Sequence, residues 1–369
     1  MSESKRKKLA ILSMQRVVNF GSVLQAYSLR SILQELTGET VDFLDIEENL
    51  VLPSQKTIKE TMDYEEPAAY PPGLLQKAKR WIFARLSAYN RKLIRQFMVR
   101  QLQLKSEKTQ KHYDCVIVGS DEVFNHAKGV NLQLHGKIEN AEKVISYAAS
   151  CGSAKAEDIA PEDVETVKSA MRSFSAISVR DSATQRYVSA LHAATVEHHL
   201  DPVLVGNLYQ REHKPVRLKK YLLVYAYGQR IHTAEEIQAI QEFAHSRGLK
   251  TVAMGGSQFW CDLYMPAKPF RVLDYFYYAD YVVTDTFHGA IFSVIQKKQF
   301  AVIVRKTNEN KLKGLMEDLN LQGNLLSSMT QLGQVLTAPI HYDSVEQILD
   351  RERVRARVYL QEQLGGSNG

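Results

Sequence analysis

The chain has 369 residues, too long for one small core and about the length of two domains. Hydrophobic residues make up 44% and charged residues 24%, which excludes collagen-like, low-complexity and wholly disordered chains. The net charge of +6 is mild for this length and does not point to nucleic acid.

The three cysteines, Cys115, Cys151 and Cys261, are scattered singly. Without a CxxC pair, neither a zinc site nor a disulfide framework is expected, and the sparse count fits a reducing cytosol. The basic N-terminal run is followed by too few apolar residues for a signal peptide. No stretch of about 18 apolar residues suggests a membrane span. A cytoplasmic protein is expected.

Residues 9–12 are an apolar run suited to a buried strand. Asn19-Phe20-Gly21-Ser22 breaks that pattern. Val23, Leu24, Tyr27, Ile32, Leu33 and Leu36 then recur at helical spacing. Gly38 ends this helix and residues 41–44 read as the next strand. The unit is βαβ with a glycine at its first crossover turn, the usual opening of a parallel sheet. Residues 50–72 are polar and proline-bearing and read as a loop. Residues 74–111 read as a basic helix, with eleven lysines and arginines against Glu107 alone. Such a stripe suits anionic lipid or a phosphate-bearing substrate, and a merely solvated helix face has the same pattern.

Further strands are predicted at 113–118, 144–147, 176–179 and 196–200. They stop at Gly119-Ser120-Asp121, Ala149-Ser150-Cys151-Gly152, Arg180-Asp181 and Asp201-Pro202. In open α/β sheets ligands bind beyond the carboxyl ends of strands, so a site belongs at these turns. Residues 207–220 turn polar and mark a domain boundary. A second alternation follows: strand 221–225, helix 234–245, strand 251–254, helix 270–278, strand 281–284 and strand 300–304. Asp285-Thr286-Phe287-His288-Gly289 forms the turn into another helix. Residues 344–364 read as a charged amphipathic helix before a glycine-rich tail. The expected division is an α/β domain over 1–205, a second over 215–340, and a C-terminal helix and tail, 341–369, packing back on both.

Four turns carry candidate chemistry. They hold Asn19, Gly21 and Ser22; Ser120 and Asp121; Arg180 and Asp181; and Asp285, Thr286, His288 and Gly289. A helix N-terminus offers free N–H groups and a positive dipole end, which suit anions. Gly21 and Gly289 would let a ligand approach the backbone. Arg180 offers a planar fork for carboxylate or phosphate. His288 suits anion binding or proton donation near neutral pH. Asp121 and Asp285 suit a general base or an orienting group. Each residue also has a plain structural use: turn geometry for Gly21, helix caps for Asp121 and Asp285, a surface pair for Arg180 with Asp181, and a core hydrogen bond for His288. Walker, GxGxxG, HExxH and nucleophile-elbow motifs are absent, and no metal constellation is visible.

Six segments in one order resemble the polysaccharide pyruvyl transferase family. They are Asn19–Leu29, Asp114–Asn125 with its Gly-Ser-Asp core, Ile145–Gly152, Ile177–Ser182, Leu200–Leu204 and Ala279–Gly289. The resemblance spans about residues 10–305. It implies a GT-B-like fold, two Rossmann-like halves facing a cleft. It also implies transfer of a pyruvyl group from phosphoenolpyruvate to a sugar, as a ketal, with Arg180 and His288 at the donor site. No cofactor beyond that donor substrate is expected. The expected partners are phosphoenolpyruvate and a sugar acceptor, lipid-linked or not, with peripheral membrane contact through the basic helix and no nucleic acid. His288, Asp121 and Asp285 are the catalytic candidates, and Arg180, Asn19, Gly21, Ser120, Thr286 and Gly289 the substrate-binding ones. The chain departs from the family pattern at Phe124, at Asn310-Lys311 and near Asn324. A nucleotide-sugar glycosyltransferase of the same architecture and a non-catalytic phospho-ligand binder are the competing readings.

Overall fold

The computed structural model describes residues 7–52, 74–104, 111–193 and 195–365. Most of the predicted 50–72 loop, the basic positions Lys105 and Lys108 with Glu107, and the end of the tail lie outside these residues.

The first half opens with β1 (Leu9–Leu12), α1 (Phe20–Thr37) and β2 (Val41–Leu44). Helix α1 begins three residues before the apolar periodicity does. Asn19 caps it by accepting from the Ser22 N–H, which satisfies one of the orphan donors of the first turn. Its end matches the expectation: Gly38 sits at φ 69° and its N–H bonds Gln34 O. Strand β3 (Val51–Leu52) follows, then α2 (Leu74–Arg100). The predicted helix to residue 111 stops at Arg100. There the Arg30 guanidinium donates to the carbonyls of Gln101 and Leu102, and Gln103 turns left-handed at φ 54°.

Next come β4 (Tyr113–Asp121), β5 (Val130–Asn131), β6 (Ala141–Ala149), α3 (Val164–Met171), β7 (Phe174–Val179), α4 (Ser182–Leu191), β8 (Val196–His198) and α5 (Pro202–Val205). Six of these strands form a sheet in the order β2-β1-β4-β6-β7-β8, while β3 and β5 pair separately. Neighbours in the large sheet are parallel. β1 is buried at all four positions, as a strand covered on both faces must be.

The second half runs β9 (Tyr221–Ala226), α6 (Ala234–Ser246), β10 (Lys250–Gly255), β11 (Leu263–Tyr264), α7 (Pro269–Tyr278), β12 (Tyr281–Thr284), α8 (Phe287–Ile295), β13 (Phe300–Ile303), α9 (Glu309–Asp318), β14 (Leu325–Leu326) and α10 (Leu332–Thr337). Its six-stranded sheet has the order β11-β10-β9-β12-β13-β14. Strand order therefore reverses between β1 and β4 in one sheet and between β9 and β12 in the other. A crevice opens at such switch points beyond the carboxyl ends of the strands.

Two helices span the halves. α11 (Tyr342–Leu364) starts on the second half, where Tyr342 Oη donates to Lys298 O at 2.5 Å. It ends on the first, where Tyr359 Oη donates to Ser146 O at 2.8 Å. In α2, Phe83 packs on Phe259 and Tyr264, while Phe97 meets Tyr27 of α1 and Phe270 of α7. Among the described residues no helix is long and apolar enough to cross a membrane.

Phe124, a departure from the family pattern, belongs to the core. It is fully buried against His135, Phe174 and Tyr187. His135 has Asn131 O at 2.8 Å and Tyr187 Oη at 2.9 Å. Burial pushes its pKa down to about 4, and does the same to His199, which lies 2.9 Å from Ser178 Oγ. Unfolded histidines titrate near 6.5, so between about 6.5 and 4 the unfolded chain binds more protons. Stability should fall as pH drops through that window, by up to about 1.4 kcal/mol per pH unit for each histidine. Urea denaturation at a series of pH values should show this slope. His135→Gln should flatten it, whatever its effect at neutral pH.

Candidate functional site

Arg180 follows β7, Asp201 follows β8, and His288 lies in the first turn of α8. Arg180 Nη1 donates to Asp201 Oδ2 at 2.9 Å. His288 Nε2 lies 3.5 Å from the same oxygen, at ion-pair distance but without the alignment of a hydrogen bond. Ser120 Oγ is 3.4 Å from it, and the Val203 N–H bonds the other oxygen at 3.0 Å. Asp201 is thus a buried anion shared by a cation of the first half and a histidine of the second. Burial alone would raise its carboxyl, but His288, Arg180 and the Val203 N–H outweigh burial and hold it down at about 2. Burial also works against the charge on Arg180, and Asp201, Asp121, Asp181 and Glu122 more than compensate. The Arg180 guanidinium lies over the Phe287 ring at 4.1 Å, a second bridge between the halves. Arg180 is therefore no surface partner of Asp181. Asp181 is buried and caps α4 by accepting from the Thr184 N–H.

His288 is held in place by its helix. Thr286 caps α8, its side chain accepting from the Gly289 N–H. Apart from His288, every residue of α8 is buried. Each large apolar side chain there contributes roughly 1.5–3 kcal/mol of burial. The helix is thus anchored apolar side down with one polar group left at its N-terminal end. Two glycines make this possible. A Cβ on Gly21 would lie 2.2 Å from His288 Nδ1, and one on Gly289 would lie 2.0 Å from Thr284 Oγ1. The expectation that these glycines open the backbone to a ligand is corrected accordingly. Gly21 makes room for the histidine of the other half, and Gly289 for its own strand. Thr286 and Ser120 move inward as well. Thr286 is spent on its cap, and Ser120 is fully buried, with its hydroxyl also on Ala148 O.

Asp121 and Asn19 lie at the first sheet's switch point. Asn19 is half-buried and spends its side chain on the α1 cap. Asp121 is half-buried too, with a left-handed φ of 80°. It is no helix cap: Oδ2 accepts from Ser22 Oγ at 2.7 Å and Oδ1 from the Glu122 N–H at 2.9 Å. Beside it, Glu122 is ion-paired to Lys311 of α9, from the opposite half. Lys311 is the main reason that the Glu122 carboxyl is held at about 2, with Asn125 and Arg180 adding to it against burial. The half-exposed Tyr227, just after β9, adjoins the same group. Partial burial and the carboxylates of Glu122, Asp121 and Asp285 all push its phenol up.

Asp285 differs from its expected role. The cap of α8 is Thr286, and the Asp285 carboxylate is wholly buried with no hydrogen-bond donor aligned on it. Arg230 Nε lies 3.3 Å and Arg305 Nε 3.6 Å from its Oδ2. Burial pushes its pKa up to about 6 against the pull of both arginines. With no exposed surface it is a counter-charge that sets two guanidinium groups at the second switch point, rather than a base in reach of a substrate. Arg305 is further tied to Glu236 at 2.6 Å, and Arg230 keeps partial exposure.

Asp201, Glu122, Lys311, Arg230, Arg305 and Tyr227 were not among the sequence candidates. Asp201 stood in a motif as Asp-Pro, a pattern that reads as a helix start. It does cap α5, and its second oxygen does the rest. Asn324, another departure, is buried and donates to Phe300 O at 2.8 Å, away from this chemistry. Among the described residues no group of three histidines, cysteines or carboxylates is placed to hold a metal ion.

Removing Asp201 leaves Arg180 buried and unpaired, which typically costs about 3–5 kcal/mol. Asp201→Ala should lower the urea midpoint accordingly, while Ser22→Ala, which removes one hydroxyl donor from Asp121 and strands no charge, should change it by less.

A search among curated proteins returned no match. Among solved structures the chain is similar to a putative UDP-N-acetylglucosamine 2-epimerase from Listeria monocytogenes. That match has 12% identity and a TM-score of 0.50, and covers 98% of each chain. It is also similar to the Methanocaldococcus jannaschii UDP-GlcNAc 2-epimerase, at 13% identity and a TM-score of 0.48, covering 95% of this chain and 99% of that one. At such identity the first likeness speaks for the fold alone, and with the paired parallel sheets it makes this a GT-B-like architecture. The family model for polysaccharide pyruvyl transferase matches residues 19–307, from the α1 cap through Arg305, and on that match the chain belongs to the polysaccharide pyruvyl transferase family.

Proposed function

We propose that the protein transfers the pyruvyl group of phosphoenolpyruvate to a sugar of a surface polysaccharide or its precursor and closes it as a ketal. The observation that carries this reading is the meeting of Arg180 and His288 on Asp201 from opposite halves. A small, highly charged donor is the kind of ligand that such a bridge suits. The N-termini of α1 and α8 come together at the contact of Gly21 with His288, and their dipoles add to the attraction for an anion.

The chemistry then divides among the residues. Arg180 and His288 bind the donor's carboxylate and phosphate. Lys311 exchanges Glu122 for the phosphate. Protonation of the donor's methylene makes it a methyl group and leaves the central carbon electrophilic, with His288 as the acid. A sugar hydroxyl attacks that carbon and gives its proton to Asp121, the half-exposed carboxylate. The carbon–oxygen bond to phosphate breaks, and a second hydroxyl of the same sugar closes the ketal. Its proton leaves with the phosphate, and the proton on Asp121 returns through solvent to His288, which restores both groups. Asp285 acts at a distance, by holding Arg230 and Arg305. No cofactor beyond the donor is needed. We place the reaction in the cytoplasm, at the membrane face where lipid-carried sugars are assembled.

Incubation with phosphoenolpyruvate and candidate acceptors should release inorganic phosphate only when both are present. Nucleoside diphosphate release from a sugar nucleotide instead would mark a glycosyltransferase and overturn the proposal. A charge-assisted hydrogen bond is worth roughly 1.5–3 kcal/mol, and about 1.4 kcal/mol is one decade in rate. His288→Asn should therefore lower turnover by at least about tenfold. Arg180→Lys keeps a charge beside Asp201 but loses the fork, so it should fall short of wild type while remaining folded.

A further inference from the structure

Helix α2 carries eight lysines and arginines and no acidic residue, more than the whole chain's net charge of +6. Seven of the eight are exposed. None of them is held in an ion pair among the described residues. The contrast with α11 is sharp, since there Arg353 pairs with Asp350 and Arg355 with Glu352. The same face of α2 also exposes large apolar side chains: Trp81 at 60%, Val99 at 64%, Tyr89 at 52% and Ile82 at 48%.

The arrangement has a pattern. Trp81 and Val99 are about five turns apart and so lie on one line down the middle of the exposed face. Lys77, Arg91 and Arg95 flank that line on one side, Arg85 and Lys92 on the other. The Arg85 guanidinium lies over the Trp81 ring at 4.7 Å, a cation held on the aromatic face beside the apolar line. The opposite face is fully engaged. Phe83 is buried in the core of the second half, Asn90 Oδ1 accepts from the Ala267 N–H, and Phe97 packs on α1. The helix is thus a fixed strut across both halves, and among the described residues its outer face is exposed.

We propose that α2 lies in the surface of an anionic lipid bilayer, with Trp81, Ile82 and Val99 among the headgroups and the flanking cations on lipid phosphates. Charge complementarity selects the anionic surface. The apolar centre selects a bilayer over nucleic acid, because indole and aliphatic side chains gain from an interface that has an apolar interior and a charged rim. As α2 packs on both halves, docking through its outer face leaves the crevice between them intact. This deepens the proposed reaction by making the acceptor one carried on lipid, and it rests on that reading only for this last step.

Flotation of the full-length protein with vesicles tests it. Vesicles of equal parts phosphatidylcholine and phosphatidylglycerol should retain the protein at low salt, and pure phosphatidylcholine vesicles should not. The triple variant Arg91→Glu, Lys92→Glu, Arg95→Glu should lower the retained fraction at least about tenfold, and Trp81→Ser should lower it with all charges kept. Phosphate release with a water-soluble acceptor should be unchanged in the triple variant. Equal retention of wild type and triple variant overturns docking through α2. So does retention on an oligonucleotide column with none on the vesicles. If the vesicles bind but phosphate is never released, docking stands and the pyruvyl transfer falls.

Discussion

The structure depends on one buried anion. Asp201 has no exposed side-chain surface and is held by Arg180 from its own half and His288 from the other. A carboxylate in that position is tolerated only with its partners in place, because removing either leaves charge in a low-dielectric interior. The pair therefore does more than add a contact. It makes the relative placement of the two sheets a condition for neutralising charge. The rest of the site is arranged around it: the missing side chain at Gly21, the buried and mostly apolar body of α8, and the Phe287 ring beneath the guanidinium.

That constraint also orders the chemistry. The crevice is rich in carboxylates, with Asp121, Glu122, Asp181 and Asp201 all acting on Arg180. An acidic crevice is a poor receptor for a multiply charged donor unless each carboxylate already has a cation. Here three carboxylates already have basic partners. Lys311 is on Glu122, Arg180 and His288 are on Asp201, and Arg230 and Arg305 are on Asp285. A donor anion can take up valences of Arg180, His288 and Lys311 while the buried carboxylates keep the frame neutral. Such preformed, partly satisfied cations need little reorganisation when charge moves in the reaction.

Much of the frame was legible in the sequence. β1 and β12 fall where apolar runs end at turn residues, because strands covered on both faces have little polar alternation to blur them. The carboxyl ends of β7 and β12 led to Arg180 and His288. What the sequence hid was contact at long range. Nothing local says that Gly21 exists for His288, or that Glu122 awaits Lys311. Asp201 reads as a helix start because it is one, and its second oxygen has no local signature. Helix α9 was missed because its apolar face is only Leu312, Leu315 and Met316 among charges. Asp285 stood among the catalytic candidates because it follows a strand end where ligands bind, and only its burial between two arginines reveals it as a counter-charge.

Pyruvyl transfer at this site requires that one small anion occupy the crevice at Arg180 and His288. Titration calorimetry with phosphoenolpyruvate, in the absence of acceptor, tests it most directly. One saturable site per chain is expected, weakened at least about tenfold by His288→Asn and insensitive to charge reversal on α2. Binding of equal strength in the His288→Asn protein, or no saturable binding in the unaltered chain, would contradict it.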